Sequence, residues 1–292
     1  MLGTDLCSEL RSDNSVIGLD NRPQAEGKKP RFSFIWCDIT DRKNLTKLIK
    51  ETKPDLIVHA AAWADVDGCE INPDKANRIN AYGTENLAAC CSDLNIPIIY
   101  LSTDFVFDGN KKSPYTETDM PSPLGAYGKS KLEGEKALSI LKKYIIARTS
   151  WLFGKHGKNF VDTVLMKAQK EKEIRIVDDQ VGSPTYTKDL AKAIHRMIRI
   201  TMDDGRWTMD DIGGIYHVSN KGEVSWFDYA KKIFEIAGIR DVKVSPIKSS
   251  ELDRPAKRPA FSVLDNKKFE NLCGYKMRGW QEALKEYLGE KR

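Results

Sequence analysis

Three short apolar runs, residues 56–62, 97–101 and Tyr144–Thr149, constrain this fold more than any other feature of the sequence. Each is strand-length and apolar in nearly every position, and each is separated from the next by a stretch with helical spacing. A strand apolar on both faces must be covered on both. Parallel neighbours need a long crossover, so helices that join such strands also cover them. Residues 15–20 and 32–37 extend the rhythm toward the front of the chain, with helical pieces at 4–10, from the polar cap candidates at 38–41 through Leu45, Leu48 and Ile49, and from Pro73 through Leu87. The pattern predicts an α/β chain with a doubly wound, Rossmann-type parallel sheet and right-handed crossovers. Beyond about residue 170 the rhythm weakens into a short strand at 174–177, a turn-rich stretch at 178–186, a helix at 188–200, a strand at 215–218 and a helix at 226–237. That tail reads as a smaller C-terminal α/β lobe over the sheet edge.

Composition narrows the classes of function. The 292 residues, 40% hydrophobic, suffice for one large or two moderate domains with a real core. The net charge of +5 comes from 47 basic and 42 acidic residues, with no basic tract. It suits an anionic small molecule better than nucleic acid. The six cysteines form no C-x-x-C pair or repeating spacing, which suggests neither a zinc site nor a disulfide framework. No signal peptide or membrane-length apolar run is present, so the expected location is a reducing cytoplasm.

In a dinucleotide-binding unit, a strand, a glycine-rich turn and a helix precede a second strand ending in an acid that bonds the adenosine ribose. Asp20 ends such a strand and follows Gly3 at close to the ~20-residue spacing of these units. Gly3 is expected just before the helix at 4–10. No strand or earlier glycines precede Met1, so the chain reads as beginning inside the turn, with Met1 and Leu2 remaining of it and cofactor binding correspondingly weakened.

Tyr127 stands four residues ahead of Lys131, a spacing that places both side chains on one helix face. A phenol is a useful acid near neutral pH only where phenolate is stabilised, and an ammonium one turn away does that. At the C-terminal end of the 97–101 strand stand Ser102, Thr103 and Asp104, on the sheet edge where ligands of open α/β folds sit. The strand at 56–62 closes on alanines that allow a flat ligand to approach, and its His59 reads as a packed core histidine.

Taken in order, residues 58–62, Asn80 with 83–88, 101–109, 127–131, 148–154, Asn159-Phe160, 179–185 and Arg258-Pro259 resemble the extended short-chain dehydrogenase/reductases, and within them the dTDP-4-dehydrorhamnose reductases. The resemblance covers nearly the whole chain. It implies an NAD(P)-binding Rossmann domain over 1–170 and a mainly substrate-binding lobe over 171–292 that returns elements to the first. The implied reaction is NAD(P)H-dependent reduction of the C4 ketone of a deoxythymidine-diphosphate sugar, dTDP-4-dehydro-L-rhamnose, for cell-surface polysaccharide. Tyr127 is the implied proton donor, Lys131 its charged partner on the nicotinamide ribose, and Thr103 the hydroxyl that positions the carbonyl, with Ser102 as its substitute.

For the cofactor the resemblance adds Asp38 and Ile39 at the adenine, Ala60 and Ala61 as groove walls, and Asn80. Asp38 equally suits a helix cap. Asp20 favours NADH because a carboxylate repels a 2′-phosphate, whereas Arg22 could accept that phosphate, so NADPH and NADH both remain open. Implied substrate contacts are Val106, Phe107, Trp151, Asn159, Gln180 and Arg258, the last toward the diphosphate; Trp151 equally suits the core. The expected partner is a nucleotide sugar, without nucleic acid, membrane or metal, and a homodimer is admissible. Two alternatives share the scaffold. Epimerases or dehydratases do so, but dehydratases carry an acid where this chain has Phe105; a non-catalytic regulatory subunit would have no need of Thr103, Tyr127 and Lys131 together.

Overall fold

The computed structural model describes residues 1–21, 33–202 and 212–291. Arg22 and the first position of the 32–37 run lie outside them. The elements at the front of the chain are α1 (Leu2–Leu10), β1 (Ile17–Asp20), β2 (Ser33–Trp36), α2 (Arg42–Thr52), β3 (Ile57–His59), α3 (Val66–Ile71) and α4 (Pro73–Ala76), the last running through a π-helical turn (Asn77–Tyr82) into α5 (Gly83–Leu94). Then come β4 (Ile98–Thr103), a 3₁₀ turn (Asp104–Val106), α6 (Ala126–Ser139) and β5 (Tyr144–Thr149).

The strand order β10-β5-β4-β3, with β10 at Gly214–His217, forms a four-stranded parallel sheet. Alternation along β4 explains its two-sided cover, since successive side chains of a strand face opposite ways. Ile98 and Tyr100 join Leu45 and Ile49 of α2, Leu87 of α5 and Leu138 of α6. Ile99 and Leu101 face the other way, onto Leu6 and Leu10 of α1 and Ile194, Met197 and Ile198 of α8 (Thr187–Met202). β1 and β2 pair in parallel with each other and form a separate two-stranded piece. The expectation of a doubly wound parallel α/β fold holds.

The second lobe is built on β7 (Glu173–Val177) and β12 (Lys243–Ile247), a parallel pair, with helices α7 (Phe160–Ala168), α9 (Trp226–Ala237) and α11 (Trp280–Gly289) around it. Its core also holds Phe153, Val161 and Val164, with α7 laying its apolar face beside Ile174 and Ile176. In return, β10 and α8 come back from the later half of the chain to the main sheet.

Two local expectations change. Gly3 lies inside α1 rather than before it, exposed and with nothing within 4 Å of where a Cβ would stand, so it serves no tight turn. Asp38 does not cap α2. Asp41 does, accepting from the N–H of Asn44 at 3.1 Å, while Asp38 folds back to accept from the N–H of Thr40 at 2.8 Å.

Candidate active site

The helix carrying Tyr127 is pinned to the end of β4 by a close backbone approach. A Cβ at Gly128 would stand 2.1 Å from the carbonyl oxygen of Phe105, so only glycine lets the first turn of α6 lie this close to the 3₁₀ turn. This contact brings Tyr127 to Thr103. The Phe105 ring meets Tyr127 edge-on, with centroids 5.7 Å apart.

Burial pushes the Tyr127 phenol well above its ordinary value, and the hydrogen bond from the Thr103 hydroxyl opposes that rise. The phenol is thereby held protonated, with a hydrogen to give but with its phenolate unstabilised in the free site. Lys131 is buried and points elsewhere than expected: its Nζ donates to the Leu101 carbonyl at 2.7 Å and sits 4.0 Å over the Tyr100 ring. Burial lowers the Lys131 ammonium to about 7, with the Glu135 carboxylate raising it. The expected lowering of Tyr127 by Lys131 is therefore absent here, because the carbonyl and ring of β4 hold the ammonium.

Ser102 and Thr103 divide their roles. The Ser102 hydroxyl donates to Glu135, which Arg148 also grips through Nε at 3.0 Å and Nη2 at 2.6 Å. That buried trio fastens α6 to β4 and β5, and leaves Thr103 as the hydroxyl available at the strand end. Thr103 Oγ1 accepts from the N–H of Phe105 at 3.2 Å and shares a hydrogen bond with Asp104 Oδ1 at 3.1 Å. Neither Glu135 nor Asp104 was singled out by residue type. Each lies within a motif quoted above or one turn from it, but only burial reveals its weight.

The cofactor candidates gather along the C-terminal ends of the strands. Asp20 ends β1 half-buried, and Ala60 to Ala62 follow β3, with Ala61 and Ala62 exposed. A floor of methyl groups fits the face of a flat ligand, and the carboxylate at the end of β1 suits a ribose. Ile39 fills the space over Gly83, and its carbonyl accepts from the Asn86 amide at 3.0 Å. Asn80 bonds both the N–H and the carbonyl of Trp63, at 2.8 and 3.1 Å, and the Ser130 hydroxyl at 3.0 Å, which ties the loop after Ala62 to α6. Its amide is consumed by that scaffold, so it shapes the groove without a free group to offer. His59 is buried, bonded to Thr84 and stacked on Tyr100.

The substrate candidates separate. Val106 and Phe107 are fully buried; Phe107 stacks on Tyr115 at 4.1 Å, so the two support the pocket from behind and have no surface for a sugar. Asn159 caps α7 and donates to the Gly154 carbonyl and the Tyr287 hydroxyl, which makes it a lobe fastener. Gln180 donates to Ser249 at 2.8 Å. Arg258 donates to Asp67 of α3 at 2.8 Å and to the Ala256 carbonyl at 2.9 Å. Trp151 remains half-buried, its ring stacked on Trp226 at 3.5 Å and covering Gly182, where a Cβ would stand 2.4 Å from the indole. Its φ of +47° is an uncommon conformation for a bulky side chain, of the kind that clusters at functional sites.

Charge buried around the site links stability to pH. Burial, aided by the nearby positive charges of Lys131 and Arg148 respectively, lowers His59 and His217 to about 3, whereas burial raises Asp104 to about 7. Below pH ~6.5 the unfolded chain protonates both imidazoles while the fold keeps them neutral, so their contribution is lost on acidification. Asp104 works the other way, its contribution being lost as pH rises toward 7. The balance is one proton. Stability is expected to fall by up to about 1.4 kcal/mol per pH unit between pH ~6 and ~4.5, as measured by urea unfolding; a rise on acidification would contradict it.

Comparison with known proteins shows the family. The model of the family described as "RmlD substrate binding domain" matches residues 1–292. A spore coat polysaccharide biosynthesis protein of Bacillus subtilis, SpsK, is 37% identical over 292 residues, 99% of this chain and 94% of that protein. A dTDP-4-dehydrorhamnose reductase of Sinorhizobium fredii is 39% identical over 256 residues, 86% of this chain and 85% of that one. The crystal structure of a Bacillus anthracis dTDP-4-dehydrorhamnose reductase in complex with NADP superposes with a TM-score of 0.82 at 34% identity, covering 99% of this chain and 97% of that one.

Proposed function

Because the chain belongs to the RmlD substrate-binding-domain family, we propose that it reduces the C4 ketone of dTDP-4-dehydro-L-rhamnose to dTDP-L-rhamnose with NADPH or NADH. The observation that carries the reading is the convergence of the Thr103 hydroxyl and a half-buried, protonated Tyr127 at the C-terminal end of β4. When bound, the reduced nicotinamide supplies the hydride that reaches C4. As negative charge grows on the ketone oxygen, Tyr127 gives it a proton and Thr103 donates a hydrogen bond to it. Lys131, one turn along α6, would give up its bond to the Leu101 carbonyl to reach the nicotinamide ribose and stabilise the phenolate left behind. Asp20 holds the adenosine ribose, Asp38 and Ile39 flank the adenine, and Ala60 and Ala61 floor the groove.

On the substrate side, the strained Trp151 is the side chain with surface to pack on the sugar, and Arg258, already oriented by Asp67, supplies charge toward the diphosphate. Phe105, an aromatic on Tyr127 where a dehydratase has an acid, favours net reduction over elimination. We place the reaction in the cytoplasm, in keeping with six free thiols; no helix among the described residues is long and apolar enough to cross a membrane. Incubation with dTDP-4-dehydro-L-rhamnose and NADPH should oxidise one NADPH per sugar reduced. Recovery of a sugar that keeps its ketone, with no NADPH consumed, would instead favour an epimerase, a dehydratase or a scaffold.

A further inference from the structure

Asp104 follows Thr103 directly and is almost wholly buried, at 1% exposure. Its Oδ1 lies 3.1 Å from Thr103 Oγ1, and its Oδ2 is buried with no hydrogen-bond partner among the described residues. A carboxyl buried this deeply, with one oxygen unpartnered, lacks the solvation that an ionised aspartate needs. The groups facing it are the Thr103 hydroxyl on β4, the Ser262 hydroxyl on the C-terminal segment, the N–H groups of Asp104 and Phe105, and the Tyr127 phenol on α6.

The arithmetic of one hydroxyl decides what this neighbour does. Thr103 has a single hydrogen and two lone pairs, and the Phe105 N–H already occupies one lone pair. If Asp104 is ionised, it takes the Thr103 hydrogen, and Thr103 has none to give to a ketone. If Asp104 is protonated, it fills the second lone pair and turns the Thr103 hydrogen outward, to the side where the Tyr127 phenol accepts it in the free site.

We propose that Asp104 is a positioning residue that works in its neutral form, donating its carboxyl hydrogen to Thr103 so that the Thr103 hydroxyl is directed at the substrate ketone. This rests on the ketone-reduction reading of the site. Burial raises Asp104 to about 7, against the opposing Ser262 and Thr103 hydroxyls, which keeps the neutral form populated near neutral pH. Ionisation of Asp104 then removes the Thr103 donor, so kcat falls as pH rises through that value. Lys131, itself lowered to about 7, adds an alkaline fall of its own.

Two measurements test the proposal. In protein labelled with carbon-13 at the aspartate carboxyls, one resonance should titrate with a midpoint above pH ~6, well beyond the ordinary aspartate value, and it should be missing from Asp104→Asn. The absence of any such resonance in the wild-type protein overturns the proposal even if the variant fails to fold. In turnover, asparagine keeps a donor beside Thr103 and alanine does not. Asp104→Asn should therefore retain at least about tenfold more kcat than Asp104→Ala, with KM similar in both. Its alkaline fall should be shallower than that of the wild type, close to the about tenfold per pH unit of a single ionisation. Identical pH profiles of wild type and Asp104→Asn, or equal kcat for the Asn and Ala variants, overturn it. A wild-type protein that reduces no nucleotide-sugar ketone but shows the titrating carboxyl would contradict the reductase reading and leave the Asp104 geometry standing.

Discussion

Replacement of Tyr127 by phenylalanine is expected to lower kcat by about 10²–10⁴-fold, the range that a positioned acid contributes, while NADPH affinity changes little. The substitution removes one oxygen and keeps the ring that packs edge-on against Phe105, so the close approach of α6 to the 3₁₀ turn at Gly128 is preserved. What is lost is the proton itself. Water is a poor substitute, since it lacks the phenol's fixed position beside Thr103, and Thr103 can offer a hydrogen bond but not a proton. Stopped-flow kinetics with NADPH titration separates the two effects. Turnover within about tenfold of the wild type would place the acid elsewhere.

The largest effect on stability should come from Arg148 or Glu135. Their side chains are 1% and 4% exposed, and Glu135 carries both the Arg148 guanidinium and the Ser102 hydroxyl. Removing one partner leaves the other as an uncompensated buried charge, at a cost of about 3–5 kcal/mol. Arg148→Met and Glu135→Met should each lose that much in urea unfolding. The double variant should lose less than the two single losses combined, because two apolar side chains leave no orphaned charge. Single variants within about 1 kcal/mol of the wild type would show that water reaches the pair and screens it.

These two predictions also mark what the sequence made legible. Tyr127, Lys131 and Thr103 stand in motifs whose spacing suits ketone reduction, and β5 and the helix Trp226–Ala237 have the expected bounds, since their apolar patterns are complete within the segment. Glu135 carries no such mark. One turn after Lys131 on a lysine-rich helix it looks like a solvated charge, and only the facing β5 strand, which brings Arg148 against it, makes it a buried anchor. The same holds for Val106, Phe107, Asn159 and Asn80, whose engagement depends on partners distant in sequence. β12 escaped notice for a different reason: Lys243, Ser245 and Pro246 give it no apolar alternation, a composition tolerated because it pairs on one side only. The two-residue strands β6 (Leu152–Phe153), β8 (Val181–Gly182), β9 (Thr185–Tyr186) and β11 (Val224–Ser225) are too short to carry a period at all.

The central claim is that this chain delivers a hydride and a proton across one carbonyl. The most direct test supplies NADPH deuterated at the transferred C4 position together with dTDP-4-dehydro-L-rhamnose, and reads the product by mass spectrometry and proton NMR. The account predicts a dTDP-L-rhamnose carrying one deuterium, located at C4 of the sugar. A product without deuterium, or a sugar still holding its C4 ketone, would contradict it.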